Sequence, residues 1–418
     1  MDFALNETQR QIQDLARTFA RERLKPIASE HDSRPDPESC LPLDLYREAN
    51  HLGFNKTLIP ERYGGLGLGE LETCLIVEQL AWADAGFATE YFVHAMQLLT
   101  VGDAATESQK ERFYRACVND PDDMYFMGVA GTEHGTVGPG LTPREYLTNP
   151  DVPSGAAPPP PPGLTAADLI DVKTVATADG DDYVINGLKR FITGAGLNKL
   201  YLVYVRWDGN GAEPGDVGQI LVPAETPGVR IGHIEDKMGH RLAQNGEVFF
   251  DDVRVPRDNV MTSMMERRNF SRGGDVEVAA VFAGISRRAY EEALAYAKER
   301  FKGGKYIVDH QAVQLMLTDM AVKTHLSELI TMRAAWQNDQ GTGYTAHNDM
   351  AKVYTTDAAV SVTYDAQQIF GGYGYMRDLP IEKLARDARL GPIYHATNEM
   401  IRVGSLITWL RSMDSIAF

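Results

Sequence analysis

Cysteine is scarce in this chain: Cys40, Cys74 and Cys117 are the only three among 418 residues. No two stand in Cys-x-x-Cys spacing, which argues against a disulfide framework or a metal knuckle. It fits a reducing compartment, either cytoplasm or an organelle matrix after processing. Long apolar runs are missing too; none reaches the roughly 18 residues that a membrane-spanning helix needs. The opening Met1-Asp2-Phe3-Ala4-Leu5-Asn6-Glu7 lacks the basic-then-apolar order of a secretory signal. Positive charge is in deficit, since 41 Lys and Arg against 58 Asp and Glu leave a formal −17. That disfavours a nucleic-acid partner, which needs a basic surface. It still allows an anionic ligand held by a few local cations and backbone amides. With 44% hydrophobic residues, the chain can bury two or three cores.

Periodicity divides the chain into three. Residues 1–124 read as helices: Ile12, Leu15, Ala16, Phe19 and Ala20 keep the i, i+3, i+4, i+7, i+8 stripe, and Pro26 is expected to end that helix. Tyr63 to Gly69 is Gly-rich but follows a Pro-Glu-Arg loop rather than a strand, so it reads as a turn before a helix at 70–82. Residues 125–260 turn to β-type runs. Tyr183-Val184-Ile185, the pair Asn186-Gly187 and Leu188 to Ile192 predict a hairpin, and 201–207, 219–222 and 247–250 predict further strands. Within this part, 139–165 holds five consecutive prolines, Pro158 to Pro162, and is expected to be an exposed extended loop. Residues 261–418 are helical again, with Ser286 to Arg300 and a stripe of Val313, Met316, Leu317, Met320 and Ala321. Helices, then strands, then helices give an α+β fold: an N-terminal helical domain, a central β-barrel-like domain and a C-terminal four-helix bundle.

Five short motifs occur in one order. They are Thr132-Glu133-His134-Gly135-Thr136-Val137-Gly138; Phe191-Ile192-Thr193-Gly194; Lys237 to Arg241 with Phe250 to Pro256; Glu299-Arg300 with Lys305 and His310-Gln311; and Gln368 to Tyr375 followed by Ile393-Tyr394-His395-Ala396-Thr397-Asn398-Glu399. In this order they resemble the acyl-CoA dehydrogenases, flavoproteins that oxidise the α,β-bond of a thioester, over nearly the whole chain. The resemblance implies FAD as cofactor, an acyl-CoA substrate, an electron-transfer flavoprotein or similar acceptor, and a homodimer or homotetramer. It places Phe191 as a flat wall for the isoalloxazine and Thr132 and Thr193 as donors to the ring. Arg300, Gln311, Gln368, Gly371 and Gly372 would hold the diphosphate and adenosine across a subunit boundary, with Thr397 and Glu399 also at the cofactor. The residue types suit these roles, because arginine makes forked contacts with phosphate and paired glycines let backbone approach closely.

The departures concern the chemistry. In much of the family the last motif reads I-Y-E-G-T, and its glutamate removes the α-proton; here His395 and Ala396 stand at the glutamate and glycine. Other members carry the glutamate at the start of the next domain's first helix, near Gly274 here, with an arginine near Asp275. Glu277, one turn on, is a candidate carboxylate. A neutral imidazole accepts a proton, so His395 is a candidate base, or else it only shapes the pocket. Gly303 stands where the family has phenylalanine, and Gly138 where it has serine. The expected reaction is α,β-dehydrogenation with hydride passing to flavin N5. The alternatives are elimination or flavin-dependent oxygenation on the same fold, or a non-catalytic FAD-binding subunit of a heteromer.

Overall fold

The computed structural model describes residues 4–133, 172–208, 217–261, 274–343 and 345–411. The Pro-rich stretch, the 134–138 part of the first motif and the loop before Gly274 lie outside the described residues. The N-terminal part holds α1 (Glu7–Phe19), α2 (Lys25–Asp32), α3 (Leu43–His51), α4 (Glu70–Ala83), α5 (Ala85–Ala104) and α6 (Glu107–Val118). Pro26 does not end the first helix as expected. A π-type turn at Ala20–Leu24 links α1 to α2 without a break, and Pro26 follows it in the first turn of α2, where the widened ladder accommodates a residue with no N–H. Helices α4 and α5 are apolar on nearly every side and run through the main core, which is why neither shows a one-sided stripe.

The middle part is one mixed sheet of β1 (Met127–Ala130), β2 (Val175–Asp179), β3 (Asp182–Thr193), β4 (Leu200–Asp208), β5 (Val217–Pro223), β6 (Val229–Ile234) and β7 (Asn245–Pro256). Their order is β1-β4-β2-β3-β7-β6, with β5 added to β4. The expected hairpin at Asn186-Gly187 is corrected here: both residues lie inside the single long strand β3. The register against β7 shifts between Ile185 and Gly187, because β7 carries a bulge in which Asp251 and Asp252, the latter at φ +52°, oppose Asn186 alone. Asn186 Oδ1 accepts from the Asp252 N–H at 2.9 Å, and Gly187 lies so close to Thr174 that a Cβ would sit 2.4 Å from its hydroxyl. The actual hairpin turn is Gly180-Asp181, where Asp179 pairs with Asp182 and Gly180 has φ +61°.

The last part contains α7 (Asp275–Glu299), a small hairpin of β8 (Phe301–Lys302) and β9 (Lys305–Tyr306), α8 (Gln311–Asp339), α9 (Thr345–Phe370), α10 (Ile381–Ala388), α11 (Asn398–Ile401) and α12 (Ile407–Arg411). Helices α7, α8 and α9 pack side by side, and α4 lies against α7, so the first and last parts share one core. Asp339, at the end of α8, accepts the free N–H groups of Glu70 and Leu71 at 2.7 and 3.0 Å and so caps α4.

A buried ionic junction ties the three parts together. Lys383 Nζ on α10 lies 2.6 Å from both Asp84 Oδ2 and Asp387 Oδ2. Asp84 also caps α5 through the Phe87 N–H at 2.8 Å. Asp387 Oδ1 accepts from the His240 N–H at 2.7 Å, and His240 Nδ1 lies 2.9 Å from Thr89 Oγ1. Burial raises the Asp387 carboxyl, yet Lys383 and His240 more than offset it and hold it below the usual range. Replacing Asp387 with Ala strands a buried ammonium with half its counter-charge. Such changes cost about 3–5 kcal/mol. The expected outcome is a lower urea midpoint at unchanged slope, with Asp387→Asn losing less.

Candidate active site

His395 lies at the tip of a γ-turn. The Ala396 N–H bonds to the Tyr394 carbonyl at 2.8 Å, and His395 itself has φ +64°. The γ-turn with positive φ is the rare, strained kind, and non-glycine residues are held there only by their surroundings. Those surroundings are visible. Lys352 Nζ on α9 bonds the Ala396 carbonyl at 2.6 Å and Asn398 Oδ1 at 2.8 Å. The Tyr394 ring packs edge-on against Phe92, Phe282 and His240. The imidazole meets the Phe92 ring edge-on at 6.3 Å and keeps 21% of its side-chain surface open.

The start of α7 faces this ring. Gly274 has φ +112°, and a Cβ there would lie 2.6 Å from His395 Cε1 and 2.8 Å from Met96 Sδ. The imidazole thus fills the space that a side chain at 274 would take. Asp275 Oδ1 lies 3.4 Å from His395 Nε2. Burial raises the Asp275 carboxyl, but His395 and Lys352 pull it down further, and it stays below the usual carboxylate range. Beside it, burial and the Asp275 charge push Asp349 up to about 8, so at neutral pH Asp275 is the anion and Asp349 carries the proton. Ser405 hydrogen-bonds Asp349. Burial likewise lowers Lys352 to about 8.

Glu277 is fully buried. Its Oε2 accepts the Gly274 N–H at 2.9 Å, while Oε1 has no hydrogen-bond partner among the described residues. Burial pushes this carboxyl up to about 7, and burial together with Glu277 pushes Glu70 up to about 9. His395 and Glu277 therefore share one region, but only His395 has open surface. Lys352, Asp349 and Asn398 were not expected in this cluster. The signal lay in Asp349-Met350-Ala351-Lys352, a charged pair one turn apart on a face otherwise lined by Ala, Val and Thr.

The other expected site residues form two surface groups. On the sheet, Phe191 has φ +61° and is 53% exposed, with the Arg190 guanidinium 4.9 Å from its ring centre. Asn245 Nδ2 bonds the Phe191 carbonyl and, at 3.3 Å, Thr193 Oγ1. The Thr132 carbonyl accepts the Arg190 N–H at 2.8 Å, and Glu133 next to it pairs with the buried Lys189. On the helices, Arg300 ends α7 with its guanidinium 5.6 Å from the Tyr373 ring centre, while Gln311 opens α8. Gln368, Gly371 and Gly372 are exposed, and a Cβ on either glycine would meet nothing within 4 Å. Thr397 caps α11 through the Met400 N–H, and Glu399 is exposed.

Known proteins share this fold. Family models for the acyl-CoA dehydrogenase N-terminal, middle and C-terminal domains match residues 6–120, 163–253 and 261–404. The mitochondrial isobutyryl-CoA dehydrogenase of Dictyostelium discoideum is 32% identical over 408 residues, which cover 96% of this chain and 88% of that protein. The chain belongs to the acyl-CoA dehydrogenase family. The acryloyl-CoA reductase (NADH) of Anaerotignum propionicum is 30% identical, over 96% of this chain and 94% of its own length. The structure of butyryl-CoA dehydrogenase from Megasphaera elsdenii superposes with a TM-score of 0.83 at 29% identity, covering 98% of this chain and all of that one. As a family member the chain is an FAD-dependent oxidoreductase acting on the CH–CH bond of acyl-CoA thioesters.

The residues present fit FAD. An aromatic ring held exposed by a strained backbone suits a flat heterocycle. An exposed arginine beside open glycine backbone suits a diphosphate. Two departures find structural reasons. Gly303 and Gly304, with φ +68° and +83°, form the two-residue turn of the β8–β9 hairpin, which demands positive φ at both positions. At the active-site turn the positive φ falls on residue 395, so Ala396 needs no glycine freedom. Gly274→Ala should be costly on both counts, strain and collision with the imidazole. We expect a loss of about 1–3 kcal/mol of stability in chemical denaturation, with the activity lost in larger proportion.

Proposed function

We propose that this enzyme introduces the α,β double bond of an acyl-CoA with His395 as its base. The observation that supports this is the imidazole itself, seated against Gly274 with part of its surface open where much of the family has a carboxylate. The proton leaving Cα passes to the free ring nitrogen, while a hydride leaves Cβ. FAD, when bound, supplies the acceptor for that hydride. Phe191, Thr132 and Thr193 would hold its ring system. Arg300, Gln311, Gln368, Gly371, Gly372, Thr397 and Glu399 would hold its diphosphate and adenosine. The main-chain N–H of residue 395 lies outside the γ-turn's own hydrogen bond and is the donor for the thioester carbonyl, a role any residue type can fill. Glu277 is the second candidate base, favoured by its unpartnered oxygen and opposed by its complete burial.

The family resemblance supports an electron-transfer flavoprotein as the partner that reoxidises the flavin. A homodimer or a homotetramer is supported by an exposed apolar stripe on α8, made of Leu315, Val322, Leu326, Leu329 and Trp336, and by exposed Tyr373 and Tyr375 after α9. The three cysteines are all unpaired and buried, which supports a reducing compartment, cytoplasm or organelle matrix. Among the described residues no helix is long and apolar enough to cross a membrane.

Anaerobic mixing with a panel of acyl-CoA thioesters should bleach the flavin absorbance. Thioesters that bind tightly yet never reduce it would sink the dehydrogenase reading. His395→Gln should lower the reduction rate by about 10²–10⁴-fold while thioester binding persists. Unchanged rates in that variant would pass the role of base to Glu277. Arg300→Ala is expected to release FAD more readily. The loss of a charged phosphate contact weakens binding by about 1.5–3 kcal/mol, read from flavin fluorescence on dilution.

A further inference from the structure

A base needs its lone pair on the correct nitrogen, and a neutral imidazole places its single proton on one or the other. Around His395, α5 presents Phe92 and Met96, neither of which can choose. α9 presents Lys352, whose ammonium is engaged by Asn398 and the Ala396 carbonyl, and Asp349, which faces Asp275 and Ser405. From α7, Glu277 turns its Oε2 to the Gly274 amide. The group left beside the ring is Asp275, with Oδ1 3.4 Å from Nε2 and 6% of its side chain exposed.

Given the reading of His395 as base, we propose that Asp275 is its positioning residue, holding the proton on Nε2 so that Nδ1 presents the lone pair to the substrate. Two further features suit the role. Asp275 is the first residue of α7, where the helix terminus favours an anion, so its charge is sustained inside the core. Gly274 just before it leaves the ring free to come close. The Nε2–H donates to the carboxylate, and when Nδ1 takes the α-proton, the resulting imidazolium stands beside a fixed negative charge. The arrangement places histidine at the turn, where much of the family sets a glutamate, and aspartate at the start of the helix, next to Gly274, where the resemblance puts the glutamate of other members.

The test compares Asp275→Asn with Asp275→Ala in the FAD-loaded enzyme, each checked for unchanged flavin content and melting temperature. Asn has the same shape, but its amide N–H donates to Nε2 and drives the ring proton onto Nδ1, the wrong nitrogen. Rates of α-proton exchange and flavin reduction should therefore fall about 10²–10⁴-fold in Asp275→Asn, as in other carboxylate–imidazole pairs. The loss in Asp275→Ala should be smaller, because either tautomer remains open, and KM should stay within about twofold in both. On the wild type itself, ¹⁵N spectra of labelled histidine, with His395 assigned by its loss in His395→Gln, should show a protonated Nε2 and a bare Nδ1. The inference is overturned if Asp275→Asn turns over like the wild type, or if the wild-type spectrum shows the proton on Nδ1. It then fails alone, provided that His395→Gln still abolishes exchange; if that variant stays active, the base reading has failed instead.

Discussion

The junction of Lys383 with Asp84 and Asp387 sets where the rest of the active site can lie. Each member is buried, and together they join three parts of the chain: Asp84 starts α5, Lys383 and Asp387 lie one turn apart on α10, and His240 brings in the chain between β6 and β7. Helix α5 carries Phe92 and Met96 to the imidazole, and His240 packs on Tyr394, the neighbour of His395. A shift of this junction would move two walls of the catalytic turn together. Charge makes the arrangement unforgiving, because an ion pair buried here gains only when every partner is in place. Two carboxylates share one ammonium, and the His240 amide bonded to Asp387 takes up part of that carboxylate's charge.

The same logic governs the reacting cluster, with a different balance. Asp275, Asp349 and Glu277 could not all ionise within one dry region beside a single ammonium. The structure resolves this by proton placement: Asp275 alone is held low, while burial keeps Asp349 and Glu277 high. A carboxyl that keeps its proton can serve as cap or hydrogen-bond link without its charge. Asp349 does so between Ser405 and Asp275, while Glu277, pushed up to about 7, accepts the Gly274 N–H.

Much of this is legible in the amino-acid order alone. The ordered motifs around Thr132, Phe191, Arg300, Gln368 and His395 point to a fold and a cofactor, because each motif carries residue types tied to one local role. Two local signals mislead. Asn186-Gly187 has the composition of a tight turn, yet its strand continues because β7 supplies partners before and after it, with a bulge in β7 at Asp251-Asp252 opposite Asn186. Pro26 suggests a stop, yet the helix runs on through the π-type turn before it. The cluster around Lys352 is harder to see, since its members lie on α7, α9 and the turn before α11, and only the fold brings them within reach. Glu277 shows the opposite limit: its type and position are plain, but its complete burial depends on α4 packing over it.

If His395 is the base, as proposed, an imidazole in place of a carboxylate changes the charge at the end of the proton transfer. A glutamate starts as an anion and ends neutral, so its neighbours need not stabilise new charge. An imidazole starts neutral and ends as a cation, in a pocket walled by Phe92 and Met96 that offers such a charge little solvation. The cluster must therefore hold a standing anion within reach of the ring, and it must do so before the reaction begins. On the proposed role of His395, that requirement accounts for an acid, not a cation, at 275. Lys352, bonded to the Ala396 carbonyl and Asn398, helps from there to keep that acid ionised.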